Sequence, residues 1–275
     1  MTLFKEIVTS LFKEIMTSET LIQLASESKY VRREITKFKT RTGIGHLASS
    51  LSVIDILVSL YLDSETLFNP EIDKLFFGKA HGGPSVYPIL VKLGFFPADE
   101  LDKYCTPKGI LRLHPDKSIP GCEFVGGSLG NAIGFAAGVA MANRKINCVV
   151  ILGDAELYEG SVWESLMFIS HHNLTNLQVV VDRNGMGTIG KTEELLRLEP
   201  IEEKFKSFGF DTTSIDGHNF TELRSAFTRQ TLLPKATIAN TVKGKGISYM
   251  EGKFEYHVLI PKSEEDIAKA MDDLK

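Results

Sequence analysis

The sequence is poor in the residues that build several protein classes. Three cysteines, Cys105, Cys122 and Cys148, stand in 275 residues. Odd in number and lacking metal-type spacing, they argue against a disulfide framework and for a reducing, cytoplasmic setting. No apolar run approaches the ~20 residues that a membrane-spanning helix needs. The N-terminus interleaves Lys and Glu with apolar residues, so it has no signal-type core. Neither sign of charge dominates: 31 basic residues against 35 acidic ones leave a formal charge of −4. That balance gives no reason to expect nucleic acid or a membrane surface as partner, with Lys243 to Lys245 as a local basic patch. No G-x-G-x-x-G follows a strand and no Walker loop occurs, which disfavours a nicotinamide enzyme. Low-complexity linkers are missing as well.

What is present reads as one α/β domain. At 43% hydrophobic and 24% charged, the chain can bury a substantial core. β-rich runs alternate with helical stretches, the pattern of a parallel sheet flanked by helices. Strands are expected at 147–152, 177–182, near 210–215 and at 236–242, with helices at 160–172 and near 219–230. "HLASSLSVIDILVSLYL" belongs to an N-terminal helical region. "SEEDIAKAMDDL" reads as a surface helix, with Ser263 as its cap and Asp266 at capping-box spacing. Residues 3–10, LFKEIVTS, recur at 11–18 as LFKEIMTS, a short duplication read as a helical extension over 1–20 ahead of a domain over 21–275. Trp163 and the phenylalanines have the spacing of core residues, not of a base-stacking surface.

Chemistry concentrates in "ILGDAELYEGSVWES", residues 151–165. If VVILGD is a strand, Gly153 and Asp154 fall at its carboxyl end, where open α/β sheets place ligands. The next strand delivers Asp182, Arg183 and Asn184 to the same edge. Asp154 and Asn184 are separated by about one strand-helix-strand crossover. A carboxylate and an amide oxygen suit a hard cation such as Mg²⁺, and the lack of His or Cys in the pair argues against zinc. For Glu156, two readings stand: a solvated residue at a helix N-terminus, or a site carboxylate.

"GDAELYEGSVWES" followed by "DRNGMG" resembles the thiamine diphosphate motif of the transketolase family. "GIGHLASSLSVIDIL", "KAHGGPSVYPILVKLGFF", "LHPDKSIPGCEFVGGSLGNAIGFAAGVAMA", "DGHNFTELRSAF" and "TVKGKGISYME" follow in the family's order, over roughly residues 20 to 260. The resemblance implies a thiamine diphosphate-binding, pyrophosphate-domain fold. It implies that Asp154, the Asn184 side chain and the Met186 carbonyl hold Mg²⁺ or another divalent cation against the diphosphate. Gly153, Ala155 and His81 are implied at the cofactor, and the Gly127-Ser128-Leu129 segment through its backbone. Glu159 matches a carboxylate at the cofactor-linked interface between subunits, which implies self-association there. His46, His81, His114 and His257 match positions lining the active-site channel, and imidazole suits sugar hydroxyls and proton transfer near neutrality.

The resemblance further implies a partner chain carrying the pyrimidine-binding and C-terminal domains, in a heterotetramer that transfers a two-carbon ketol unit between sugars or sugar phosphates. Two alternatives stay open: a thiamine-dependent enzyme that decarboxylates 2-oxo acids or resembles deoxyxylulose phosphate synthase, and a catalytically silent binding subunit. Ala155 departs from the family's second glycine, tolerable only at negative φ. Leu113 and Val258 replace glycines beside His114 and His257, changes that surround the channel. His171, His172 and His218 are read as helix-end and turn residues. Gly134 and Gly138 are read as close packing of a helix on the sheet.

Overall fold

The computed structural model describes the backbone of residues 2–124 and 126–275, and side chains from Ser18 onward. In chain order the elements are α1 (Thr2–Thr42), α2 (Leu47–Ser52), α3 (Ile54–Leu62), β1 (Lys74–Phe77), α4 (Tyr87–Lys92), α5 (Ala132–Ala142), β2 (Cys148–Gly153), α6 (Gly160–His171), β3 (Leu177–Arg183), α7 (Thr192–Leu195), α8 (Ile201–Ser207), β4 (Asp211–Asp216), α9 (Phe220–Thr228), β5 (Lys235–Asn240) and α10 (Glu264–Asp273). The strands form one parallel sheet in the order β1-β2-β3-β5-β4. This is the α/β parallel sheet that the alternation of strands and helices predicts.

A parallel sheet covered on both faces selects strands that are apolar on both sides. In β2, Val149 and Ile151 enter one buried cluster with residues of α1 to α4, α9 and α10. Val150 and Leu152 point the other way, into a cluster with α5, α6 and α8. Every residue of β2 and β3 is buried. Strand β1 was not expected from the sequence. Its four residues, KLFF, offer no run long enough to stand out, and pairing with β2 defines it: Lys74 opposite Cys148, Phe77 opposite Ile151.

Helix α1 runs unbroken from Thr2 to Thr42, and among the described residues the core begins at Leu24. The side chains of residues 3–17, on which the amphipathic reading of the repeat depends, lie outside the described residues. Asn219 caps α9 by accepting the N–H groups of Thr221 and Glu222, and Ser263 caps α10 through the N–H of Asp266. Caps of this kind stabilise a helix by about 1 kcal/mol.

One packing expectation is overturned. Gly134 and Gly138 lie on the outer face of α5, exposed, and a Cβ at Gly138 would meet nothing within 4 Å. The alanines Ala132, Ala136 and Ala140 make the contact with the sheet instead. His218 lies in the turn before α9, as expected, and is structural there. Its Nδ1 lies 2.6 Å from Asp55 Oδ2, and its Nε2 accepts the N–H of Val242 at 2.9 Å, so the proton sits on Nδ1. Asp55 also receives Arg32 through both oxygens, at 3.0 and 2.6 Å, which ties α1, α3 and the turn before α9 together.

Candidate functional site

Strand register brings the acidic turn to its partners. Gly153 stands opposite Asp182, and Arg183 opposite Asn240, so the segments after β2, β3 and β5 leave the sheet side by side. The segments after β2 and β3 line a cleft of about 240 Å³ together with the segment after β1, the start of α2, the loop before α5 and His257.

Asp154 is buried at the floor of this cleft. Its Oδ1 accepts the Ala155 N–H at 2.8 Å, and its Oδ2 accepts the Gly185 N–H at 2.6 Å and Arg183 Nη1 at 3.1 Å. Burial, followed by the charge of Asp182, raises its pKa against the opposing pull of Arg183. Asn184 turns the chain by accepting the Met186 N–H at 3.1 Å, and Gly185 takes a φ of 74° that favours glycine there. Asn184 and Met186 thereby join Asp154 on the cleft wall. Ala155 is absent from the residues with positive φ, so its methyl group is accommodated without strain.

Three lysines near the cleft are buried, and they differ in what neutralises them. Lys79 forms an ion pair with Asp182 at 2.5 Å, and Asp182 accepts further hydrogen bonds from Ser52 and Thr241. Lys39 and Lys243 have no such carboxylate. Lys243 Nζ donates to the Gly187 carbonyl at 3.0 Å and to His257 Nδ1 at 2.8 Å, with the Met186 carbonyl at 3.5 Å. Burial, with Lys79 adding to it, lowers its pKa to about 8. Lys243 is therefore buried behind the cleft wall, against His257 and the Met186 and Gly187 carbonyls, and does not belong to a surface basic patch.

The four histidines meet above this floor. The His46 ring centroid lies 5.3 Å from that of His81, 6.4 Å from His114 and 5.2 Å from His257, and His81 lies 5.2 Å from His257. Burial is the main reason their pKa values fall: His46 to about 4, His257 to about 3, His114 downward, and His81 well below the ordinary value. Neighbouring lysines push each in the same direction. At neutral pH the quartet is uncharged, each ring offering one donor and one acceptor. Lys243 against His257 Nδ1 makes that nitrogen the acceptor, which leaves the proton on Nε2, 3.4 Å from Thr188 Oγ1.

The glycine-rich segment closes one side. A Cβ at Gly126 would fall 1.8 Å from the Phe77 carbonyl oxygen, so only glycine fits this approach. Gly127 and Leu129 line the cleft. Ser128 and Glu159 are exposed beside its mouth and do not line it. Glu156 is buried, which overturns its solvated reading. It accepts the N–H of Gly130 at 2.9 Å and of Gly153 at 3.2 Å, pinning this segment to β2, and burial pushes its pKa up to about 7.

The donor set fits a divalent cation holding a diphosphate. Asp154 and Asn184 supply oxygens from neighbouring strand ends, and the backbone at Met186 and Gly187 already directs carbonyl oxygens at a cation, the Lys243 ammonium. Among the described residues no group of three or more His, Cys, Asp or Glu suits a metal. An oxygen site that uses amide and carbonyl donors does not require one.

Sequence reasoning missed Ser49, Lys79 and Thr188 in the cleft wall. Lys79 follows β1, and a strand of four residues gave no sign that its end reaches the same edge.

A parallel α/β sheet with an oxygen-lined, histidine-roofed cleft at its carboxyl edge defines a diphosphate-holding domain. The family described as "Transketolase, thiamine diphosphate binding domain" matches residues 33–274, and the chain belongs to the transketolase family. It is 36% identical over 266 residues to the 6-deoxy-6-sulfo-D-fructose transketolase subunit SqwG of Clostridium sp. (strain MSTE9), covering 92% of this chain and 96% of that one. The apulose-4-phosphate transketolase of Actinobacillus succinogenes has a subunit 34% identical over 269 residues, with the same coverage. Among solved structures, transketolase from Campylobacter jejuni superposes with a TM-score of 0.83 at 27% identity, over 92% of this chain and 43% of that chain. The chain thus spans less than half the length of that solved transketolase.

Proposed function

We propose that this chain is the diphosphate-holding subunit of a two-component transketolase, which transfers a two-carbon ketol unit between sugars together with a partner subunit. The observation that carries this reading is the meeting of the Asp154, Asn184 and Met186 oxygens with four neutral histidines in one cleft. Relatives named as subunits, matched over 96% of their length, support the two-chain arrangement. In this reading the partner brings the pyrimidine-binding and C-terminal domains and the assembly is a heterotetramer, with Glu159 and Ser128 at the interface beside the cleft mouth.

When bound, thiamine diphosphate supplies an electron sink that lets the carbon–carbon bond beside a ketose carbonyl break and re-form. Asp154, the Asn184 amide and the Met186 carbonyl would hold Mg²⁺, which would supply positive charge to the diphosphate. Lys243, buried behind the Met186 and Gly187 carbonyls without a carboxylate partner, would add positive charge on that side of the diphosphate. His81, Gly153, Ala155 and the backbone of Gly127 and Leu129 position the cofactor. His46, His114 and His257, with His81, orient the sugar hydroxyls as uncharged donor-acceptor pairs. Both relatives' names specify sugars with an anionic substituent, a sulfonate and a phosphate, and an anionic ketose is the donor class proposed here. Among the described residues no helix is long and apolar enough to cross a membrane, and with free cysteines the proposed location is the cytoplasm.

The test is Mg²⁺-dependent binding of thiamine diphosphate by the complex purified with its native partner. Asp154→Ala is expected to weaken it by about a hundredfold or more while the circular dichroism spectrum stays unchanged; undiminished affinity would falsify the assignment. Carbon dioxide release from pyruvate, without ketol transfer, would establish the decarboxylating alternative.

A further inference from the structure

Lys39 sits where a charge is hard to keep. It lies near the end of α1 with no exposed surface, directly behind His46. Its Nζ donates to Ser50 Oγ at 2.6 Å and to the His46 carbonyl at 3.3 Å. Other groups facing it are the Cys105 thiol, Lys79 and the Tyr104 hydroxyl. A Cβ on Gly45 would fall 3.2 Å from Lys39 Nζ and 3.1 Å from Tyr104 Oη, so both polar atoms border one stretch of backbone. Two further buried atoms at this spot, Tyr104 Oη and His46 Nδ1, lack hydrogen-bond partners.

An ammonium taken out of water without a counter-ion costs stability, and a methionine of similar length would fill the same space without that cost. The fold tolerates the expense behind the one histidine that contacts the other three. We propose that Lys39 is a positioning residue for sugar transfer: it tethers the His46 backbone and sets beside it an amine that takes up a proton before the imidazole can, fixing His46 as a neutral imidazole facing the cleft. This rests on the reading of His46 as a sugar contact.

His46 is faced by Lys39 from α1, by Lys79 and His81 from the end of β1, by His114 from the loop before α5, by Lys243 after β5 and by His257. Burial lowers its pKa most, and Lys39 is the foremost of the charges acting in the same direction. Lys39 is also the one charge, after burial, that lowers His114. Burial brings Lys39 itself down to about 7. As the pH falls, the amine takes the proton first and then opposes a second one on His46. The sign for stability follows. The unfolded amine, near 10.5, binds its proton more tightly than the folded one, so the folded chain becomes more stable as the pH rises from about 7 towards 10.5.

The full chain with ¹³C-labelled histidine, titrated by NMR and assigned with His46→Asn, gives the test. In the unmodified chain His46 is expected to stay neutral below pH 5. In Lys39→Met its midpoint is expected to rise by about one pH unit or more, and the alkaline gain in stability disappears. That variant is expected to melt no lower than the parent at pH 7. In the complex with the partner it is expected to lose at least about tenfold in turnover, with the acid limb of the pH profile moved upward. An unchanged His46 midpoint in Lys39→Met overturns the proposal. So does a His46 that protonates near its ordinary value of about 6.5 in the unmodified chain, a result that needs no variant to fold. If His46→Asn keeps full turnover, the sugar-contact reading fails while the coupling to Lys39 remains measurable by itself.

Discussion

Removing one imidazole from the quartet takes away a hydrogen-bonding pair and, at neutral pH, no charge. His81→Ala is therefore expected to lower turnover by about a hundredfold or more while moving the melting temperature by no more than ~2 °C, since its ring borders the cleft and carries no structural ion pair. Differential scanning fluorimetry beside a coupled ketol-transfer assay separates the two effects. The meeting of Asp154, Asn184 and the four histidines in one cleft was legible from motif and spacing. Their protonation was not, because it depends on burial and on lysines that reach the cleft from other segments. Glu156 shows the same limit. A carboxylate after a strand reads equally well as solvated, and only the approach of Gly130 and Gly153 reveals that it binds two backbone N–H groups.

Elements with long apolar runs or clear caps were read with small errors at their ends. Helix α6, expected over 160–172, occupies Gly160–His171, and the strand expected at 147–152 occupies Cys148–Gly153. What escaped were contacts between elements distant in sequence: strand β1, and the junction of α1, α3 and the turn before α9. That junction has a clear energetic signature. Burial alone would raise the Asp55 pKa, but the charge of Arg32 and hydrogen bonds from His218 and Arg32 outweigh it and hold the carboxyl well below the usual range. A depressed carboxyl contributes stability that is fully present above its unfolded value of about 4 and is lost as the pH falls below it. Asp55→Asn leaves the Arg32 guanidinium buried without its counter-charge and is expected to cost about 3–5 kcal/mol at pH 7. Urea titrations from pH 7 to pH 3 are expected to show a shallower acid loss in the variant; parallel curves would show that Asp55 carries no such linkage.

Across the whole molecule, the side of the sheet covered by α5 and α6 exposes apolar surface. Phe135 is 58% exposed, Met167 55% and Met141 45%, beside the open Gly138 position. Large apolar residues gathered on one face mark an interaction surface more often than a solvated one. In the proposed assembly this face meets another subunit. Phe135→Asp is expected to reduce the mass measured by light scattering from that of the complex to that of separate chains, with the isolated chain's melting temperature unchanged; an intact complex would place the interface elsewhere. The cleft has its own consequence at this scale. Its wall is drawn from segments between His46 and His257, and the strands beneath it pair in parallel across long excursions. Such long-range closure is slow and comes late in folding. During synthesis, every lining residue but His257 is in place once Thr188 has been added, so a product terminated between the two carries the oxygen donors of the floor under an incomplete roof of three imidazoles.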